Sequence, residues 1–197
     1  MKKSLVEQVN LMTASGALRL FSFNKATREI AKMIEIRNLI LYGGADILAL
    51  LAGGQSSYNL RTMYIEFENL ADPSDPITPP TFGRADGVAY YNGLVSSPNR
   101  DFIRVALSVS PAFSTSGVDY VNNIATFFGQ SSGTVGFHGK SFGESSNSAI
   151  FGAALVASPD PEDQSKDIVF SRAYSGIDKI LKQAGFEIGV TWSIRLN

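Results

Sequence analysis

From Phe186 to Leu196 the apolar residues Phe186, Ile188, Val190, Trp192, Ile194 and Leu196 fall on every second position, with Glu187, Gly189, Thr191, Ser193 and Arg195 between them. A period of two is the pattern of an extended strand whose successive side chains point to opposite faces. Eleven residues of it demand a sheet with one face in a core and the other in solvent. The pattern also sets the only Trp of the chain inside, as packing.

The rest of the chain is compatible with that sheet. At 197 residues it is long enough for a substantial core in a single β-sandwich domain spanning 1–197. Charged residues make up 18%, below the usual quarter, which suggests a surface partly covered by partners. A net charge of -1 offers no basic footprint for nucleic acid. Lys2 and Lys3 precede Ser4–Asn10, which lacks the apolar run of a secretory signal. The longest apolar stretch, Leu39 to Ala52, is broken by Gly43, Gly44 and Asp46 and is too short to span a bilayer, so no membrane partner is expected. With no Cys, disulfides and thiolate metal sites are excluded.

Along the chain, residues 1–14 read as an N-terminal arm, of which 4–13 could form a short amphipathic helix. Ala17–Phe23 and Glu29–Ile36 read as a hairpin turned at Asn24–Thr27. Ala45–Ala52, stopped by Gly53-Gly54, is the one short buried helix. Thr62–Glu68 alternates and predicts a half-buried strand. Phe102–Val109, 120–128, 148–157 and 167–174 are further strands, and Ile177–Gln183 is a single helical turn. Pro73, Pro76, Pro79 and Pro80 cannot sit in a ladder, so 70–100 is a polar excursion, and Gly- and Ser-rich 111–148 is a second. About eight strands, one helix and two long excursions predict a mainly β fold, an antiparallel sandwich of jelly-roll-like type.

Candidate sites are sparse. His138 lacks a second His or a Cys and reads as a loop residue making an ordinary hydrogen bond. Asp160, Glu162, Asp163 and Asp167, and separately Asp72, Asp75 and Asp86, are oxygen ligands of the kind Ca²⁺ takes. They lack a regular calcium-loop spacing and read as solvated turns. Glu66 and Glu68 alternate with core residues and so point outward, to solvent or to an Arg of a partner; the pair lacks the setting of a glycosidase acid. Gly152, Ala153 and Ala154 read as small residues permitting close sheet packing. No catalytic residue, cofactor or metal site is assigned. Phe82, Tyr90, Tyr91, Phe113 and Phe137, in or near irregular segments, are the candidate interface residues, because aromatics are enriched in interface cores.

Asn38-Leu39-Ile40-Leu41-Tyr42-Gly43-Gly44-Ala45-Asp46-Ile47-Leu48-Ala49 resembles a segment that recurs in small structural proteins of tailed bacteriophage virions. There a strand pair precedes it and a stretch like Met63–Phe67 follows. Asp167–Tyr174 and the Ile188–Trp192 strand are similar as well; residues 70–148 carry no likeness. The resemblance implies a virion component, assembled in the host cytoplasm, whose partners are copies of itself and other virion proteins. It implies a place in the tail, neck or fibre apparatus, with capsid decoration as the alternative. A carbohydrate-binding module for host-surface glycans, using the same aromatics, is the rival class.

Overall fold

A computed structural model describes residues 14–54, 58–78, 81–82, 87–107, 118–121, 124–131, 133–143, 147–160, 163–175 and 178–196. Residues 1–13 of the expected arm, Phe113, Asp86 and Glu162 lie outside them. The described residues form two antiparallel sheets and two short helices.

The first sheet is built on the strand the sequence announces. β1 (Ala14–Asn24) and β2 (Ile30–Arg37) form the expected hairpin. At its turn the Asn24 side-chain oxygen accepts the Ala26 and Thr27 N–H groups at 2.8 and 3.1 Å, as short polar turn residues do. Against β1 lies β11 (Phe186–Leu196), followed by β7 (Ile124–Ser131) and β6 (Val118–Val121), in the order β2-β1-β11-β7-β6. Ile188, Val190, Trp192 and Ile194 are buried as the alternation requires.

The second sheet contains β3 (Leu39–Ile40), β4 (Leu60–Leu70), β5 (Arg100–Ala106), β8 (Asn147–Ala157) and β9 (Ile168–Tyr174), in the order β3-β9-β8-β4-β5. The expected helical turn before the final strand is instead β10 (Ile180–Leu181), paired with Ile150 and Ala149 of β8. A bulge explains it. Glu66 faces Gly152 and Phe67 faces Ile150, leaving Phe151 as the extra residue. The Phe151 carbonyl takes the Ser175 N–H and hydroxyl, both at 2.8 Å, so β9 ends there and β10 takes over the same edge.

Leu18, Leu20, Val190 and Trp192 of the first sheet pack with Met63, Ile65, Phe67, Ala153, Leu155 and Phe170 of the second in a shared core. The first helix, α1 (Tyr42–Ala52), joins this core through Ile47. It starts three residues earlier than expected and takes in Gly43 and Gly44. A Cβ on either would lie 2.9 Å from the Val169 carbonyl or 2.5 Å from that of Phe170, so the glycines let the first turn dock on β9 rather than break it. Gly53 N–H bonds to the Ala49 carbonyl and Gly54 has φ +83°, ending the helix as expected.

One expectation for the middle of the chain is corrected and one is refined. The 70–100 excursion contains a second helix, α2 (Val88–Gly93), continued by a 3₁₀ turn at Leu94–Ser96. Within the second excursion the strand expected at 120–128 is a pair of antiparallel strands, β6 and β7. The helix matters most, because with Phe82 it lies over the outer face of the second sheet and buries it. Leu41, Tyr64, Tyr91, Leu94, Phe102, Ala154, Val156 and Val169 form a second apolar cluster there. β4 is therefore buried on both faces from Thr62 to Phe67, not half-buried.

Candidate functional site

The covered outer face of the second sheet holds the densest polar chemistry among the described residues. Glu66 on β4 and Arg172 on β9 are both buried, with β8 between them. Strands two places apart lie roughly 10 Å from each other, which two long side chains can span only if the strand between is low. Gly152 stands opposite Glu66 and Ala154 opposite Arg172, and they make that lane. A Cβ on Gly152 would approach the Ala173 carbonyl to 2.8 Å and the Glu66 carboxylate to 3.5 Å. Across this lane Arg172 Nε donates to Glu66 Oε1 at 2.6 Å and Nη2 donates to Oε2. The bond is bidentate, the strong form for guanidinium and carboxylate.

The cover completes the arrangement. Tyr91 Oη donates to Glu66 Oε1 at 2.8 Å, and Arg172 Nη2 donates to Tyr90 Oη at 3.3 Å. The guanidinium lies 4.3 Å from the Phe82 ring centre and 4.8 Å from that of Tyr90, within cation–π range. Burial, then the Glu66 charge, raises the Tyr90 and Tyr91 hydroxyls well above the ordinary tyrosine value. Glu66 holds Arg172 firmly protonated against the pull of burial.

Two more pairs flank this one on the same face. Arg104 donates to both oxygens of Asp167, at 3.1 and 3.0 Å, and to Ser158 Oγ at 2.7 Å. Asp167 also accepts the Tyr64 hydroxyl, whose proton is held tightly by burial and by that carboxylate. Arg100 pairs with Glu68, its neighbour in register, at 2.8 Å. The expected outward carboxylates therefore meet arginines of their own chain.

The turn 133–142 closes the edge of this sheet. Phe137 N–H bonds to the Phe102 carbonyl at 2.7 Å on the free side of β5. The buried Asp101 carboxylate accepts the N–H groups of Phe102, His138 and Lys140. Gly136 presses on it so closely that a Cβ would overlap Oδ2 at 2.3 Å. His138 Nε2 lies 2.8 Å from the Tyr91 carbonyl, the ordinary bond expected of a loop histidine, and ties this turn to the cover.

Of the five aromatics singled out, Phe82, Tyr90 and Tyr91 converge on the Glu66–Arg172 pair. Tyr91 is fully buried and supplies no surface, and the other two are half-buried. Phe137 is 47% exposed, one face stacked on Phe102 at 5.1 Å between ring centres. Among the described residues the acidic turns do not converge on a cation site. Asp160 and Asp163 both bind Lys166, while Asp72 accepts from Ser74 and Asp75 from the Asp72 N–H. Among the described residues no three His, Asp or Glu side chains are grouped to hold a metal ion. No described helix is long and apolar enough to cross a membrane.

Arg172 and Asp101 are absent from the sequence-based candidates. The signal for the first was in β8: Ala149–Ala157 is apolar throughout, the mark of a strand buried on both faces. A charged residue on the strand beside it must then find an internal partner. Comparison with family models, curated proteins and solved structures finds no match to this chain.

Proposed function

We propose that this protein is a structural component of a tailed bacteriophage virion, a jelly-roll-like sandwich that assembles by symmetric protein–protein contacts in the tail, neck or fibre apparatus. One observation carries the reading: the distant segments that resemble such proteins form one packed unit. Asn38 Nδ2 donates to Ser171 Oγ at 3.0 Å, Leu39 and Ile40 pair with Arg172 and Ser171, and α1 docks on β9 through its two glycines. β9 in turn borders β8, which borders β4. These segments are thus neighbours in the fold, while region 70–148, which carries no likeness, supplies the cover and the turn. The carboxylates and arginines of the covered face are used to hold that cover, which supports a scaffold role.

The test is compositional. Tailed particles purified from the culture that carries the gene should yield peptides of this chain in whole-number ratio to the major structural proteins. Labelling by antibody in electron micrographs then separates tail, neck or fibre from capsid decoration. Absence of the chain from purified particles refutes the reading. The glycan-binding alternative rests on Phe137, an open aromatic face on a backbone-fixed turn. It requires saturable binding of a glycan by the wild-type protein and its loss in Phe137→Ala.

A further inference from the structure

We infer that Asn92 is a site of spontaneous deamidation to isoaspartate, and that this modification loosens the cover over the second sheet as the molecule ages. Asn92-Gly93 is the one place in the chain where glycine follows asparagine. With no Cβ on the second residue, its main-chain nitrogen reaches the asparagine side chain more freely than in any other pair. Both residues are exposed, in the helical run that joins Tyr91 to Leu94.

The fold gives no other reason for a glycine at this position. In a helix it is about 1 kcal/mol less favourable than alanine. Gly43, Gly44, Gly136 and Gly152 are each required by a close neighbour, and Gly54 by its positive φ. Gly93 has φ -67° and ψ -22°, so it is not a left-handed helix cap, and a Cβ on it would meet nothing within 4 Å.

A helical backbone holds the Gly93 nitrogen away from Asn92 Cγ, so the reaction waits on local opening of this turn. α2 favours opening: it has six residues, no side-chain cap at Gly87, and neither an acidic first turn nor a basic last turn. In the open turn the Gly93 nitrogen attacks Asn92 Cγ. The side-chain nitrogen leaves as ammonia with the proton that Gly93 gives up, and a succinimide ring forms. Water then opens the ring, at Cγ to aspartate or at the main-chain carbonyl to isoaspartate. Isoaspartate carries a new carboxylate and one extra methylene in the main chain. The residues on either side are fixed. Tyr91 Oη donates to Glu66 at 2.8 Å, the Tyr91 carbonyl lies 2.8 Å from His138 Nε2, and Leu94 is buried in the second apolar cluster. The Leu94 N–H also bonds to the Tyr91 and Asn92 carbonyls. A lengthened chain between Tyr91 and Leu94 breaks this spacing.

The test ages the full-length protein at mildly alkaline pH. Peptide mapping by mass, with enzymatic methylation of isoaspartate, should find amide loss at Asn92 ahead of every other asparagine. Asn92→Gln should abolish it and Gly93→Ala should slow it severalfold; both alter exposed positions, and circular dichroism checks that they fold. Amide exchange at 88–96, and at 136–140 through His138, should accelerate in the aged wild type but not in the variants of equal age. If Asn92 keeps its amide in the folded chain while the urea-unfolded chain loses it over the same period, the site is overturned. Equal loss in Gly93→Ala overturns it too. Loss of the amide with exchange at 88–96 unchanged overturns the loosening of the cover.

Discussion

Arg172 and Glu66 each neutralise a charge that the other could not leave buried alone. Removing one partner of such a pair typically costs about 3–5 kcal/mol, whereas replacing both by apolar groups of similar volume is often neutral or better. Arg172→Met should therefore lower stability by that order in urea denaturation followed by Trp192 fluorescence. Glu66→Leu combined with Arg172→Met should recover most of the loss. Equal destabilisation by the single and double variants would show that packing, not charge, is what Arg172 supplies. Gly152 is the floor of the same device. With the Ala173 carbonyl 2.8 Å from an added Cβ, Gly152→Val should cost about 1–3 kcal/mol by overpacking. At this scale the warning was partial: the small residues of β8 were legible as close packing, but what lay on them was not. A carboxylate alternating with core residues looks the same in sequence whether solvent or another segment covers it.

The elements most legible in sequence were those whose burial is one-sided. β11 alternates because one face of the first sheet is open, and the β1–β2 turn carries its own side-chain bonds at Asn24. β4 and β8 were harder, since the cover that buries their second face comes from a Pro-rich stretch that suggests only a loop. Six residues of helix at Val88–Gly93 have too little periodicity to announce themselves, and their burial comes from the sheet beneath. The 133–142 turn depends in the same way on a residue outside it. Asp101 gathers N–H groups of His138 and Lys140, and hydrogen bonds to a charged group contribute about 1.5–3 kcal/mol each. Asp101→Ala should free the turn while the sheets persist. Amide exchange at 136–140 should accelerate at least tenfold, with β11 amides unchanged. Uniform acceleration across both sheets would make Asp101 a residue of the global fold instead.

The molecule as a whole joins an open sheet and a covered one around a single core, an asymmetry that no one segment of sequence displays. Pairing order was illegible for the same reason: β11 inserts between β1 and β7, and β8 between β4 and β9, by long-range contacts that local pattern does not encode. The covered face makes this asymmetry measurable through pH. Tyr64, Tyr90 and Tyr91 all have hydroxyls raised above their ordinary value, by burial first and by Asp167 or Glu66 next. A group whose proton is held more tightly folded than unfolded stabilises fully below its unfolded value, near pH 10 for tyrosine, and progressively less as pH rises beyond it. The unfolded chain then releases protons that the folded one keeps. Each such tyrosine removes about 1.4 kcal/mol per pH unit, so three together remove about 4 kcal/mol per unit. Alkaline titration followed at 295 nm should therefore show two phases, the second coinciding with exposure of Trp192 and collapse of the fold. Tyr91→Phe removes one of the three and should lessen the alkaline slope of stability by about a third. Ionisation of every tyrosine in one phase, with the fold intact, would mean that the cover lifts from the second sheet without unfolding it.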